Sequence, residues 1–281
     1  MTAPLRECKA PRIREGGTSC AGVSRSQPWD PSSCWPPRSG RLPSAKTTTR
    51  HPFVGSLVLE FQGTKFQLCS ATLVSPTVVV TASHCLFGLE EFPIWVTFDE
   101  VIDADADGVV DPGVTLHTGT GFVHPEFGLP GANDPHDVAV FILDAPVKMS
   151  RYGQLPSASL LDAKDKQTAR FTTVGYGTVR DDKTRSFASF ELGTRRKMVT
   201  QEMLSLTQAW VQFSMNPSTG NGGTCFGDSG GPHFFGAGAS ETRVVVAVTV
   251  TGDRFCRATD KAYRLDTPVA RAFLQDFIEL P

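Results

Sequence analysis

The sequence predicts an all-β protein closed by one C-terminal helix. From residue 53 onward it contains short runs rich in valine, threonine and aromatic residues, such as T-V-V-V-T-A at 77–82 and D-V-A-V-F-I-L at 137–143, bounded by turn residues. Convincing helical periodicity over a long stretch occurs once, at 267–280. Many short strands with one helix favour an antiparallel sandwich or barrel over alternating strands and helices.

The predicted helix at 267–280 has clear start signals. Thr267 is suited to the N-cap and Pro268 to the first helical position. Its apolar face consists of Val269, Phe273, Phe277 and Leu280.

Composition indicates a soluble globular protein with an unusual N-terminal segment. The 281 residues carry a net charge of −2, 40% are hydrophobic, and no apolar run reaches the length of a membrane span. The near-neutral charge argues against nucleic-acid binding. Residues 1–50 hold nine Lys/Arg, three Asp/Glu and seven of the 20 prolines, which predicts a disordered tail. A basic arm for a membrane or partner surface is the alternative interpretation.

The cysteines divide between the tail and the body. Three lie in the tail, and an even set of four, Cys69, Cys85, Cys225 and Cys256, indicates a disulfide framework in the body. Metal binding is disfavoured because no C-x-x-C pair occurs. Disulfides predict secretion, although the N-terminus contains no apolar signal segment. A cytosolic protein with reduced thiols is the alternative.

The glycine-rich stretch G-G-T-C-F-G-D-S-G-G-P at 222–232 surrounds Ser229. It matches G-x-S-x-G, the nucleophile turn of α/β-hydrolases. In those enzymes the acid and the histidine follow the serine, whereas only His233 follows Ser229 here. The scarcity of helices also disfavours that fold.

Two further stretches, V-V-V-T-A-S-H-C at 78–85 and N-D-P-H-D-V-A-V-F-I-L at 133–143, complete the order His84, Asp137, Ser229. With C-F-G-D-S-G-G-P, they resemble the trypsin/chymotrypsin family of serine proteases, in a bacterial-like variety. The resemblance covers about residues 51–281. It implies two six-stranded antiparallel β-barrels: a first barrel at about 51–145, and a second at about 155–265 that carries Ser229.

The chemistry requires each of these residue types. A serine hydroxyl becomes a nucleophile when a base such as His84 takes its proton, and a carboxylate such as Asp137 fixes the tautomer of that base. Asp137 is preferred over Asp134 because a buried strand follows it directly. The resemblance also implies an oxyanion hole formed by the N–H groups of Gly227 and Ser229.

The same resemblance implies disulfides Cys69–Cys85 and Cys225–Cys256. It predicts a monomeric endopeptidase that acts on peptide or protein substrates through an acyl-enzyme and needs no cofactor. A catalytically silent binding protein and an esterase on the same fold remain alternatives.

The sequence departs from the family pattern at two positions beside the triad. Asp228 is present, but the N-terminus that usually pairs with this aspartate after activation is not. Val250 aligns with a serine that usually donates to the triad aspartate. Ser83 is a candidate replacement donor, and a shift of one residue would give that role to Thr249 or Thr251.

The predicted specificity pocket contains no carboxylate. The resemblance puts Gly223 at its base, followed by Thr224, with Gly252 and Lys261 on its wall. An open, uncharged pocket predicts cleavage after Phe, Tyr, Leu or Met instead of after Arg or Lys. If the ammonium of Lys261 points inward, acidic substrates are favoured; lysine more often directs its charge to water.

An acidic insertion, D-A-D-A-D-G-V-V-D-P-G at 103–113, begins like a calcium-binding loop. Its candidate ligands are Asp103, Asp105, Asp107 and Asp111. The twelfth position is Val114 instead of the bidentate glutamate, so an acidic hairpin tip is the alternative interpretation.

Overall fold

The structure is a computed structural model that describes residues 45–130, 133–165, 168–181 and 189–281. Most of the predicted tail, residues 1–44, lies outside the described residues. Within the described ranges, no helix combines the length and the apolar character needed to cross a bilayer.

The described residues form fifteen β-strands and one α-helix, α1 (Pro268–Leu274). The strands are β1 (Lys46–Thr47), β2 (Val54–Phe61), β3 (Thr64–Leu73), β4 (Val78–Thr81), β5 (Ile94–Thr97), β6 (Gly119–Val123), β7 (Ala139–Leu143), β8 (Arg170–Gly175), β9 (Val179–Asp181), β10 (Ser189–Glu191), β11 (Lys197–Leu206), β12 (Trp210–Ser214), β13 (Pro232–Phe235), β14 (Val245–Gly252) and β15 (Thr259–Arg264). Strand β1 lies within the predicted tail and pairs with β11, so the folded part of the chain begins before residue 51.

The first half of the protein is a six-stranded antiparallel sheet in the order β5-β2-β3-β4-β7-β6. One bridge between Val96 and His117 joins its two edges, so it forms a half-closed barrel. All four residues of β4 are buried because this strand lies between β3 and β7.

The second half closes completely. Its strands follow the order β11-β12-β15-β14-β13-β8, and β8 pairs again with β11. Six antiparallel strands in each half and one C-terminal helix confirm the predicted fold class. Strands β9 and β10 form a separate two-stranded antiparallel sheet.

The C-terminal helix begins as predicted and ends earlier. The hydroxyl of Thr267 accepts a hydrogen bond from the N–H of Ala270 at 3.2 Å, and Pro268 occupies the first turn. The predicted end at residue 280 is wrong, because the α-helix ends at Leu274 and continues as turns. Phe277 still packs on Phe273, with 5.2 Å between ring centroids, so the apolar face keeps its contact with the core.

Candidate active site

Strand pairing brings His84 and Asp137 together. His84 lies in a short turn (Ser83–Cys85) that follows β4, and Asp137 lies just before β7, which pairs with β4. The His84 backbone N–H donates to Asp137 Oδ1 at 2.9 Å, and ring atom Nδ1 lies 2.8 Å from Asp137 Oδ2. Since an ionised carboxylate only accepts, Nδ1 carries the proton and Nε2 is left as the basic nitrogen.

Exposure differs between the two side chains. The His84 side chain is 32% exposed, whereas that of Asp137 is 4% exposed. The imidazole is therefore open to a reactant while the carboxylate behind it is enclosed. The Cys69–Cys85 disulfide ties the turn that carries His84 to β3.

Ser83 has a different role from the one expected. Its hydroxyl donates to the carbonyl oxygen of Val138 at 2.7 Å and lies 3.2 Å from that of His136. The hydroxyl therefore joins the histidine turn to the backbone on either side of Asp137. The expectation that it supports the Asp137 carboxylate directly is not met.

The glycine-rich loop packs Ser229 against the first half of the protein. The Ser70 N–H donates to the Ser229 carbonyl oxygen at 2.8 Å, and the Gly230 N–H donates to Thr249 at 2.7 Å. Gly230 has φ +74°, and a Cβ atom there would clash with Thr81. Only glycine fits this close approach, which holds the loop beside the chain that leads to His84.

The two candidate oxyanion donors are oriented through their neighbouring carbonyls. The Phe226 carbonyl accepts from the Thr178 N–H at 2.8 Å, and the Asp228 carbonyl accepts from the Gly231 N–H at 2.9 Å. Because the C=O and N–H of a trans peptide point in opposite directions, these bonds turn the N–H groups of Gly227 and Ser229 the other way. Neither N–H has an acceptor among the described residues.

Residues 44–275 match the family model described as Trypsin. The chain belongs to the trypsin family.

Relatives of the trypsin-family domain come from bacteria and animals. A trypsin from Saccharopolyspora erythraea is 28% identical over 188 residues, covering 65% of this chain and 75% of the relative. Granzyme M from Homo sapiens is 28% identical over 215 residues, covering 73% and 75%. Fibrinolytic enzyme isozyme C from Lumbricus rubellus is 26% identical over 172 residues, covering 58% and 69%. Membership of this family supports a serine protease function in general.

Asp228, whose partner the sequence left open, is held by backbone groups. Its carboxylate accepts from the N–H of Gly177 at 2.8 Å and from that of Cys225 at 2.9 Å. Burial of the carboxylate raises its pKa to about 6, partly offset by these bonds and by the charge of Lys197. A Cβ atom at Gly175 or Gly177 would clash with the Asp228 side chain, so both glycines are needed for this arrangement.

Both disulfides of this trypsin-family chain have the predicted pairing, Cys69–Cys85 and Cys225–Cys256. The sulfur atoms near His84 are consequently not free thiolates, which removes Cys69, His84 and Cys85 as a metal site despite their proximity.

The predicted pocket residues are only partly grouped. Gly223, Thr224 and Gly252 all lie against the side chain of Met215, a residue that the sequence analysis did not single out. Lys261 instead places its ammonium 3.9 Å from the centroid of the Trp210 ring. This cation–π contact leaves the acidic-substrate alternative without structural support.

The acidic loop brings three of its four candidate ligands together. Carboxylate oxygens of Asp103, Asp105 and Asp111 all lie within 4.8 Å of one another, and Asp107 is not part of this group. Asp103 is buried and accepts hydrogen bonds from the N–H groups of Asp107 and Gly108, so loop closure alone explains its position. Calcium binding stays a prediction.

A second histidine–aspartate pair lies inside the closed barrel. His233 Nε2 is 3.4 Å from Asp260 Oδ2, and both side chains are fully buried. The hydroxyls of Thr173 and Thr249 lie 2.8 and 3.0 Å from the two ring nitrogens. Sequence analysis missed this pair, since 27 residues separate its members and neither belongs to a motif.

Proposed function

We propose that the protein is a serine endopeptidase in which Ser229 attacks the peptide carbonyl, His84 is the general base and Asp137 orients His84. The observation that carries the proposal is the His84–Asp137 pair, with a 2.8 Å ring contact and a second bond from the His84 backbone. Those two bonds fix both the tautomer and the position of the imidazole.

The reaction follows from these roles. His84 Nε2 takes the Ser229 proton as the Oγ atom bonds to the carbonyl carbon, and then gives that proton to the leaving amine. The acyl-enzyme is hydrolysed when His84 removes a proton from water. The negative oxygen that develops in each step is stabilised by the N–H groups of Gly227 and Ser229, whose orientation is supported by the Thr178 and Gly231 bonds.

The substrate class is a peptide or an unfolded protein segment with an apolar residue before the scissile bond. Gly223 and Thr224, at the predicted base, carry no charge, and Met215 next to them is apolar. Thr224 also bonds to the Asp260 carboxyl, but burial raises the pKa of that carboxyl to about 7, so a guanidinium or ammonium group there would face an acid whose ionised form is disfavoured.

Two disulfides also support action in an oxidising compartment, and secretion is therefore part of the proposal. We expect the enzyme to act as a monomer.

Casein digestion by the full chain tests this function. The proposal expects casein fragments with the wild type and none with Ser229→Ala. Hydrolysis of small esters with intact casein would instead support the esterase alternative. Folded protein that hydrolyses neither substrate would support the silent binding protein.

A further inference from the structure

The thioether of Met215 lies between two glycines of the predicted pocket. A Cβ atom built on Gly223 would be 3.1 Å from Met215 Sδ, and one built on Gly252 would be 3.5 Å from Met215 Cε. Met215 therefore lies against both Cβ positions, beside the carbonyl oxygens of Cys256 and Thr259, which are each 2.8 Å from one of them.

Several bonds hold Met215 in this position. Its backbone N–H donates to the Ala258 carbonyl at 3.0 Å, which fixes the main chain just after β12. Its sulfur accepts from the Thr224 N–H at 3.2 Å, and the Thr224 hydroxyl lies 3.7 Å away. A methionine usually fills irregular gaps with considerable freedom, whereas this one is anchored at both ends.

Exposure shows which side of the site is open. Met215 is 2% exposed, whereas Gly252, against its methyl group, is exposed to solvent. Gly252 is thus accessible from outside, and Met215 is buried beneath it.

We propose that Met215 is a specificity-determining residue that shortens the pocket and selects small aliphatic side chains, such as alanine and valine, before the scissile bond. The inference rests on the proposed endopeptidase function and narrows its apolar preference. The sequence predicted an open pocket from Gly223 and Gly252 alone, whereas a pocket that contains Met215 is shorter.

The physical reason is excluded volume. A large aromatic side chain that reaches Gly223 would occupy the same space as the Met215 thioether. To enter, it must displace Met215 and break its contacts with Thr224, whereas a small side chain leaves them in place. Since each extra methylene in an apolar pocket changes selectivity by about 10–200-fold, the expected effect is easy to measure.

The test compares kcat/KM for matched peptide substrates with Ala, Val or Phe before the bond. The wild type is expected to prefer Ala and Val over Phe. Met215→Ala should raise the Phe/Ala ratio at least about tenfold, because it opens the space that Phe requires. Met203→Ala is the matched control: Met203 is also buried in the closed barrel and lies in its core cluster, so its loss should leave the ratio unchanged.

A second experiment measures how fast Ala and Phe peptidyl phosphonates label the active site of the wild type. It needs no variant, and it separates this inference from the proposed function. Faster labelling by the Ala probe supports the inference, even if Met215→Ala fails to fold. An active wild type that prefers Phe overturns it, as does an unchanged ratio in folded Met215→Ala. Absence of labelling by both probes contradicts the proposed function itself, and the inference with it.

Discussion

The described residues contain two histidine–aspartate pairs, one in each half, and their surroundings differ. In the first, His84 and Asp137 are 2.8 Å apart and the imidazole is partly exposed. In the second, His233 and Asp260 are 3.4 Å apart and both are fully buried. The residue types are the same, so the difference in solvent access and hydrogen bonding determines what each pair can do.

Burial favours the neutral form of both members of the inner pair between about pH 3 and 7. It lowers the pKa of His233 to about 3 and raises that of Asp260 to about 7, with Gln201 donating to Asp260 at 3.1 Å. A histidine that resists protonation serves as a packed hydrogen-bonding group; it also stacks on Phe213, with 4.3 Å between ring centroids. Proton transfer to a substrate requires an accessible histidine, so we assign a catalytic role to His84 and a structural role to His233.

The largest expected effect is on catalysis when His84 is removed. His84→Ala should lower kcat by about 10⁴–10⁶-fold, because Ser229 loses its base. Its free energy of unfolding should change by no more than about 1 kcal/mol, since the side chain is partly exposed. Steady-state kinetics and urea unfolding measure the two effects; comparable kcat in variant and wild type would remove His84 from the mechanism.

Substitution of the two aspartates should have almost equally different effects on kcat. Asp137→Asn is expected to lower kcat by about 10⁴-fold because the amide cannot hold the required tautomer. Asp260→Asn is the matched control, and its kcat should stay within about threefold of the wild type, because burial already favours a neutral side chain at that site. An equal loss of kcat in both variants would show that the two pairs do not have different roles in catalysis.

Removing the inner histidine should mainly reduce stability. His233→Ala leaves a cavity beside Phe213 and an unpaired hydroxyl on Thr249, whereas the Thr173 hydroxyl still donates to Gln201; the expected cost is about 3–5 kcal/mol in the free energy of unfolding. The folded fraction should keep near-wild-type kcat per active site. A stable but inactive His233→Ala would show instead that the inner pair takes part in catalysis.

The smallest effect is in the pH dependence of stability. Between pH 3.8 and 6.5, the unfolded pair binds one proton on His233, and the folded pair binds one on Asp260, so its net contribution is flat. In Asp260→Asn the unfolded state still protonates His233, whereas the folded state does not. Its free energy of unfolding should therefore fall by about 1.4 kcal/mol more per pH unit than that of the wild type as pH drops below 6.5. Parallel curves from urea unfolding at several pH values would contradict the neutral inner pair.

The sequence was most informative about the site where the catalytic chemistry requires a recognisable group of residues close together along the chain. The strand-rich texture and the surroundings of His84, Asp137 and Ser229 were sufficient for the fold class and for a candidate triad. Both disulfides were also predicted correctly, by the resemblance that those residues carry.

The features that sequence missed depend on contacts between distant strands. The pairing of β14 with β15 shifts register between Thr249 and Thr251, so counting along the chain does not show which face carries Lys261 or Asp260. Met215 and His233 belong to no motif, and their roles follow from what surrounds them in the folded barrel. Ser83 has a hydroxyl that could donate to Asp137, but the backbone carbonyls of His136 and Val138 accept its hydrogen bond instead.

The most direct test of the central claim is the rate at which a fluorophosphonate labels Ser229 in the wild type, His84→Ala and His233→Ala, with the modified residue located by mass spectrometry. We expect one adduct, on Ser229, formed at similar rates in the wild type and in folded His233→Ala and at least about 10³-fold more slowly in His84→Ala. Equal labelling of the wild type and His84→Ala, or an adduct that persists in Ser229→Ala, would contradict it.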